Sequence, residues 1–207
     1  MHVASHESRE DVISVPQAVR FPVEMAPPPG FDPERLETWP DVPGRLEWVN
    51  GRLLFMPPCG DLQGDTVADL VICVGLWVRD HPEFCLGTNE IGMRLGDDTR
   101  GADAAIWRRA DLGEYHGGIR RVPPVLAVEV EGRDGHEREL REKAQWYLDA
   151  GVAVVWLIFP ARREISVLTK HLERRAARGD ILPADPALPG LAPRADEFFR
   201  QISLQQA

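Results

Sequence analysis

The chain has 207 residues, of which 43% are hydrophobic and 28% charged, a composition typical of a globular protein with one full core. Its formal net charge of −9 excludes a uniformly basic surface, so any binding of nucleic acid must depend on local arginines. No apolar run approaches the ~18 residues of a membrane span, and the acidic N-terminus lacks a signal-peptide pattern. We therefore expect a cytoplasmic protein that does not enter a membrane.

Lysine and cysteine are both scarce. Only Lys143 and Lys170 are lysines among the 24 basic residues, so a lysine beside a pair of acids indicates a function. The cysteines are three in number, which is odd, and no two of them have a CxxC spacing: Cys59, Cys73 and Cys85. This pattern predicts reduced thiols, with no zinc site and no disulfide framework.

The chain is expected to form an arm and one domain. Residues 1–30 are polar and then rich in proline, which predicts a flexible or loosely docked N-terminal arm. Residues 31–207 are predicted to form a single domain. A short helix is expected at its start, because Asp32 suits an N-cap and Pro33 the first helical position.

An Asn50-Gly51 dipeptide between two apolar runs predicts a β-hairpin with a two-residue turn. Glu47 lies on the first strand of this hairpin. Strand alternation places Glu47 on the same face as Val49, so its carboxylate faces either solvent or a cleft. Glu47 is therefore a candidate site residue.

The remaining elements are helices and strands of ordinary length. Apolar spacing predicts a core helix over residues 65–81, followed by two short strands, FCLGTN and EIGMRLG. DAAIW and VLAVEV are typical of buried strands, an amphipathic helix is predicted over residues 137–149, and AVVWLIF and EISVLTK form the next strand pair. A proline-rich tail predicts an edge strand and a surface wrap. The whole pattern predicts an α/β fold with a mixed central sheet flanked by helices.

Two of the apolar strands contain an acid: Asp103 begins DAAIW and Glu129 lies inside VLAVEV. Burying a charge is costly unless the charge is paired or holds a metal. Two carboxylates suit a hard cation such as Mg²⁺ or Mn²⁺, which binds phosphate oxygens and lowers the pKa of water. A lysine can position that water, and Lys143 lies at the edge of the buried stripe of the next helix. These residues suit phosphodiester hydrolysis.

Each of these side chains also has a structural interpretation in which it has no part in chemistry. These interpretations are a turn aspartate at Asp103, an ion pair of Glu129 with Arg133 or Arg138, a surface pair of Lys143 with Glu139, and an exposed hairpin acid at Glu47.

The polar loop after DAAIW contains two arginine pairs, which are candidates for contact with phosphates: Arg108, Arg109, Arg120 and Arg121. For each arginine alone, a solvated surface charge is the alternative.

Several short motifs occur in a characteristic order: Glu47 with NGRL and FMPP after it, then MRLGDDTRGAD, RRADL and GGI, PPVLAVEV, and K-x3-Y-x3-GV before VVWLIFP. In this order the sequence resembles the Uma2 family, a group of endonuclease-like proteins within the PD-(D/E)XK nuclease superfamily. The resemblance covers residues 46–199. It implies a restriction endonuclease-like core and DNA cleavage that depends on a divalent metal, Mg²⁺ or Mn²⁺.

The resemblance also implies roles for individual residues. Asp103 and Glu129 would bind the metal, and Lys143 would be the site lysine, moved from the strand to the following helix. Glu47 matches the N-terminal acid of the family.

Three positions depart from the family pattern. Ala102 replaces the usual proline before the first aspartate. Glu131 stands where the wider superfamily has its lysine, so that role falls wholly to Lys143. Residues 131–135 replace a Leu-Ser-Pro-Ser-like stretch that borders the expected site.

The sequence thus predicts a metal-dependent DNA endonuclease, for which a homodimer is compatible with cutting both strands. One alternative is a protein of the same fold that binds nucleic acid or a protein partner without cutting. Another is a metal-dependent hydrolase of a small phosphoester. The steep salt dependence of DNA binding separates these functions.

Overall fold

The computed structural model describes residues 21–56, 58–115, 117–133 and 136–204. Its strands are β1 (Val23–Met25), β2 (Arg45–Val49), β3 (Arg52–Met56), β4 (Phe84–Leu95), β5 (Asp98–Arg108), β6 (Leu126–Val130), β7 (Val154–Phe159), β8 (Glu164–Leu168) and β9 (Glu173–Ala176). Its helices are α1 (Asp61–Asp80), α2 (Arg109–Leu112), α3 (Glu137–Asp149) and α4 (Arg200–Leu204), with 3-10 turns at Leu36–Thr38 and Ala195–Phe199.

In the described part of the chain the nine strands form one sheet, in the order β1-β3-β2-β5-β6-β7-β8-β9 with β4 beside β5. Neighbouring strands are antiparallel except β6 and β7, which are parallel and are connected through α3. A parallel pair needs such a crossover, because the chain must return to the end at which it started. The predicted mixed sheet, with flanking helices and an N-terminal hairpin, is confirmed.

The hairpin forms as its turn residues predict. Asn50 and Gly51 have φ angles of 50° and 75°, the left-handed values that a two-residue turn requires. On its outer edge β3 pairs with β1, so residues 23–25 of the predicted arm belong to the sheet. Residues 1–20 of that arm lie outside the described residues. The predicted first helix is a single 3-10 turn at Leu36–Thr38.

The strand β5 has a different arrangement on each of its edges. On one edge β4 pairs with it from Asp98 to Arg108. The other edge is shared, because β2 pairs with β5 at Thr99 and β6 pairs with it at residues 104–106. In the described residues, no strand is therefore paired with residues 100–103 on this edge. We call this interval the β5 gap.

A bulge in β4 lies opposite the β5 gap. The register shifts between Thr88 and Ile91, so that Asn89 and Glu90 both face the single position of Asp103. Asn89 and Glu90 have φ angles of 60° and 55°. The prediction of two short strands here is therefore wrong: they are one strand, β4, with a bulge that bends it and redirects its side chains.

Helices cover both faces of the sheet. One hydrophobic cluster joins the sheet to α1 and the C-terminal segment, and the other joins it to α3. The tail was predicted to wrap the surface, but Leu182, Leu188, Leu191 and Phe198 are at most 4% exposed. These side chains are spaced irregularly between prolines, so no period marks them as core. No helix in the described residues is long and apolar enough to cross a membrane.

Candidate active site

Asp103 and Glu129 lie at the β5 gap on neighbouring strands, and each is 5% exposed. Asp103 Oδ2 accepts a hydrogen bond from the backbone N–H of Val130 at 2.7 Å, so this carboxylate links β5 to β6. Its Oδ1 accepts a bond from Gln63 Nε2, on α1, at 3.3 Å. Asp103 is thus a buried strand residue and does not lie in a turn.

Lys143 reaches the same gap from α3. Its Nζ donates to Gly101 O at 2.6 Å, to Glu47 Oε1 at 2.9 Å and to Glu129 Oε2 at 3.1 Å. These bonds use all three N–H donors of the ammonium group. The side chain is 14% exposed, so the lysine is an interior cation rather than a surface one.

These contacts settle two of the structural interpretations. Lys143 is committed to acids on β2 and β6, so the expected surface pair with Glu139 is wrong. The cation beside Glu129 in the described residues is Lys143 and is neither Arg133 nor Arg138; Arg138 instead lies 3.5 Å from a different acid one helical turn away.

Glu47 takes the place of a neighbouring strand beside Gly101. Its Oε1 accepts the N–H of Gly101 at 3.1 Å, and the C=O of Gly101 accepts from Lys143. A buried backbone group needs a hydrogen-bond partner, and here side chains supply it. Glu47 is 6% exposed, so its predicted position facing a cleft is the one that the structure shows.

A tyrosine completes the environment of Glu129. The hydroxyl of Tyr147 donates to Glu129 Oε1 at 2.7 Å, while Lys143 holds Oε2. Both oxygens of the carboxylate therefore have donors. Tyr147 follows Lys143 by four residues, so the two side chains lie on the same face of α3.

Burial disfavours the ionised form of both Asp103 and Glu129. Burial raises the pKa of Asp103 well above its usual range, and the charges of Glu129 and Glu90 raise it further. Burial raises the pKa of Glu129 to about 7, although Lys143 and the bond from Tyr147 both lower it. The low dielectric of the interior strengthens repulsion between like charges, which favours a protonated state or a bound cation.

The neighbouring acids raise the pKa of both donors, Lys143 and Tyr147, so both keep their protons. Burial alone would lower the pKa of Lys143, but the attraction of Glu129, Glu47 and Glu90 raises it above the ordinary value, so the lysine stays charged. Burial and the charge of Glu129 raise the pKa of Tyr147, so its hydroxyl keeps the proton that it donates.

The chain is similar to known proteins in its sequence and in its fold. The model of the family described as "Uma2: Putative restriction endonuclease" matches residues 33–199. The chain belongs to the Uma2 family. No curated protein matches the sequence.

The fold of this Uma2 chain also occurs in a solved structure, that of "a putative nuclease belonging to DUF820" from Anabaena variabilis ATCC 29413. The two superpose with a TM-score of 0.70 over 79% of this chain and 94% of that one, at 14% sequence identity. Family and fold together indicate a restriction-endonuclease-like nuclease.

All four residues selected from the Uma2 motifs meet at the β5 gap, whereas the loop arginines do not. Arg120 lines a cleft beside Glu47 and Gly101. The other three bond elsewhere: Arg108 to Ala187 O, Arg109 to Pro82 O and Arg121 to Glu34. The contact of these three arginines with phosphate stays a prediction from the sequence.

Several side chains around this Uma2 site were not selected from the sequence: Gln63, Glu90, Arg45 and Tyr147. The signal for Tyr147 was its spacing of four from Lys143. Glu90 had no such signal, because the bulge that directs it toward the site depends on pairing between β4 and β5.

The residues of the site fit a divalent cation. If all are ionised, the four carboxylates of Glu47, Glu90, Asp103 and Glu129 carry a charge of −4, and the two bases, Arg45 and Lys143, carry +2. A net charge of −2 is left for a cation to offset. In the described residues no group of three or more His, Cys, Asp or Glu side chains has the arrangement of a metal site. The candidate ligands are the two carboxylates selected from the sequence, Asp103 and Glu129, and two carboxylates suit Mg²⁺ because this ion keeps several waters.

Proposed function

We propose that this Uma2 protein is an endonuclease that hydrolyses DNA phosphodiester bonds with the help of a divalent cation, Mg²⁺ or Mn²⁺. The observation that carries the proposal is the meeting of buried Asp103 and Glu129 with the ammonium of Lys143 at the β5 gap. A stable fold has no need of two like charges in its interior. Such a pair with raised pKa values is typical of a functional site.

Asp103 and Glu129 would hold the cation. When bound, the cation supplies Lewis-acid chemistry: it lowers the pKa of water and offsets negative charge on the phosphate. The bond from Val130 N–H fixes Asp103, and the bond from Tyr147 fixes Glu129, so neither carboxylate has to be ordered when substrate arrives.

Lys143 would position the attacking water and stabilise negative charge on the phosphate. Because its three donors are occupied, one acceptor must be replaced for the lysine to reach a water. The bond to Glu129 Oε2 is the longest of the three at 3.1 Å, and we take it as the bond that is exchanged. The lysine is charged, so it acts as a hydrogen-bond donor and not as a base.

The test is cleavage of supercoiled plasmid and of single-stranded DNA by the purified protein with Mg²⁺, Mn²⁺ or a chelator. The decisive variant is Asp103→Asn, which keeps the size of the side chain and removes its charge. Asp97→Asn is the matched control, because Asp97 is exposed in the turn before β5. Cleavage should need the metal, persist in Asp97→Asn and disappear in Asp103→Asn.

Cleavage that survives in Asp103→Asn, or that proceeds in chelator, would remove the assignment. Circular dichroism and the melting temperature of each variant show whether a loss of activity reflects loss of the fold.

A second candidate is a protein of this fold that binds nucleic acid or a protein partner without cutting. The observation in its favour is the segment after β6, where Glu131 stands at the usual lysine position. Calorimetric titration with Mn²⁺ separates the two functions. Binding that is lost in Asp103→Asn supports the enzyme, and absence of binding to a folded protein supports the silent alternative.

A further inference from the structure

A cleft of about 370 Å³ borders the candidate site on the side of the hairpin. Glu47 and Gly101 form part of its wall, so it opens directly beside Lys143. Three arginines from three different segments line the same cleft: Arg45, Arg100 and Arg120. Three acids, Asp41, Glu47 and Glu90, line the cleft as well. In a protein with a net charge of −9, three guanidinium groups beside the proposed phosphodiester site are candidates for contact with phosphate.

Two of these arginines are held in place by aromatic rings. The guanidinium of Arg120 lies 4.1 Å from the centre of the Trp107 ring, and that of Arg100 lies 4.7 Å from the centre of the Trp146 ring. Stacking on a ring restricts each side chain, and each guanidinium also donates to a partner inside the protein: Arg100 Nη2 to Asp98 Oδ2 at 3.0 Å, and Arg120 Nη1 to Cys85 Sγ at 3.6 Å. Both cations are therefore ordered before any ligand arrives.

Arg45 is the cleft arginine most closely coupled to the acids. It begins β2, two residues before Glu47, and its guanidinium forms an ion pair with Glu90. Burial works against its charge, but Glu90 and Asp103 raise its pKa, so it remains a cation. Within the described residues its Nε atom is buried and has no hydrogen-bond partner. A donor left in this state can gain a bond from an incoming oxygen.

The partner of Arg45 is held by the bulge in β4. Glu90 has a φ of 55°, and its backbone oxygen lies so close to Gly101 that a Cβ there would approach it to 2.8 Å. Because Gly101 has no Cβ, the backbone of the β4 bulge can lie in close contact with β5 at this position. Left-handed non-glycine residues are concentrated at functional positions, where a strand must redirect a side chain.

We propose that this cleft binds the nucleic-acid backbone next to the scissile bond, that Arg45 is its phosphate-binding residue, and that Glu90 holds Arg45 in the free protein. The inference rests on the proposed nuclease function and adds to it a substrate contact. The structure gives one contact in the pair, from Arg45 Nη1 to Glu90 Oε1. A phosphate can accept the same bond and a second, parallel N–H bond from the guanidinium, so it can replace Glu90 as the acceptor. Arg100 and Arg120 would contact neighbouring phosphates.

The first test measures binding of a fluorescent DNA duplex and of a single strand to the full chain by anisotropy, in Ca²⁺ and in chelator. Arg45→Ala should weaken binding about tenfold and lower the slope of log K against log salt by about one. Arg52→Ala is the matched control, because Arg52 is the exposed arginine on the other strand of the hairpin. It should leave both quantities unchanged.

The second test examines the role of Glu90 by a double-mutant cycle. Glu90→Gln frees Arg45 and should tighten DNA binding several-fold in the otherwise unchanged protein. In the Arg45→Ala background the same substitution should have no effect. An equal gain in both backgrounds would show that Glu90 acts only through general repulsion of DNA, and would overturn its assigned role.

These measurements separate failure of the inference from failure of the proposed function. If Asp103→Asn abolishes cleavage while Arg45→Ala binds and cleaves like Arg52→Ala, the nuclease stands and the cleft is not its phosphate site. If Asp103→Asn cleaves normally, the proposed active site at Asp103 fails instead. Turnover of a model phosphodiester by a protein that shows no salt-dependent DNA binding would also overturn the inference, because the ligand would then be a small molecule.

Discussion

The ammonium of Lys143 lies 3.1 Å from Glu129 Oε2, although the two residues belong to different elements. Lys143 reaches Glu129 from α3, because this helix packs against the face of the sheet from which Glu129 projects. The cation beside Glu129 therefore comes from a residue 14 positions further along the chain.

Replacing Lys143 should damage both activity and stability. Lys143→Met leaves Glu47 and Glu129 without their cation, and removing one partner of a buried ion pair costs about 3–5 kcal/mol. Lys170→Met is the matched control, because Lys170 is the other lysine of the chain and is exposed. Urea unfolding should place this control within about 0.5 kcal/mol of the wild type. Lys143→Arg keeps the positive charge and should therefore fold. Cleavage by Lys143→Met at the rate of the wild type would contradict the role assigned to Lys143.

Tyr147→Phe should weaken the site without unfolding it. The substitution removes the bond to Glu129 Oε1 at 2.7 Å, which helps to keep that carboxylate ionised. The pKa of Glu129 should rise, so the acidic limb of the pH–activity profile should move to higher pH. Loss of a partner that orients a ligand lowers metal affinity about 10- to 100-fold. Mn²⁺ titration and a pH series measure the two effects, and an unmoved acidic limb would show that Glu129 does not control it.

The metal-free protein should lose stability as the pH rises toward neutral. The pKa of Glu129 is about 7 in the folded protein against an ordinary 4.5, so the folded state holds a proton that the unfolded state has released. The stabilisation is fully present below pH 4.5 and is lost as the pH rises through 7, by about 3 kcal/mol. Chemical unfolding in chelator at several pH values measures the slope. Glu129→Gln should flatten it, and a slope identical to the wild type would contradict the prediction.

Neutral replacements of the acids proposed to bind the metal should make the metal-free protein more stable while they abolish cleavage. Asp103→Asn removes one of two buried like charges, and the backbone N–H of Val130 can still donate to the remaining oxygen. Residues kept for function are often unfavourable for stability. At pH 8 in chelator, the melting temperature of Asp103→Asn should exceed that of the wild type, and saturating Mg²⁺ should narrow the difference. A lower melting temperature would indicate a structural carboxylate.

Gly101→Ala should distort the site through the backbone. The added Cβ would meet the backbone oxygen of Glu90 at 2.8 Å, and neither strand can move without disturbing β4 and β5. Overpacking of this kind costs about 1–3 kcal/mol. The matched control is Gly118→Ala, where a Cβ would meet nothing within 4 Å. Thermal melts compare the two, and equal stability of both variants would contradict the close contact.

Local signals in the sequence were sufficient for several elements. Asn50-Gly51 predicted the hairpin because two adjacent left-handed residues fix a tight turn. The apolar period predicted α3 with its bounds at 137 and 149. Glu129 was selected because a charge inside a continuously apolar strand is costly and needs a reason. In each case the deciding physics lies within about a dozen consecutive residues.

Other features depend on which segments meet in space. The gap in β5 exists because β2 and β6 share one of its edges, and nothing in β5 itself records that arrangement. The bulge that turns Glu90 toward Asp103 arises from the register of β4 on β5, and the burial of the proline-rich tail arises from its contact with α1. These interactions join residues far apart in the chain, whose pairing no periodicity can specify.

The sequence by itself selected the acids and the lysine that we propose for the chemistry, because a charged residue inside an apolar run is recognisable at a single position. Only the tertiary structure decided that Glu47, Asp103, Glu129 and Lys143 meet at one unpaired strand edge, and that Arg45 and Glu90 stand beside them. The reason is physical: the cost of a buried charge is local, whereas its compensation comes from any part of the chain that folding brings within hydrogen-bond distance.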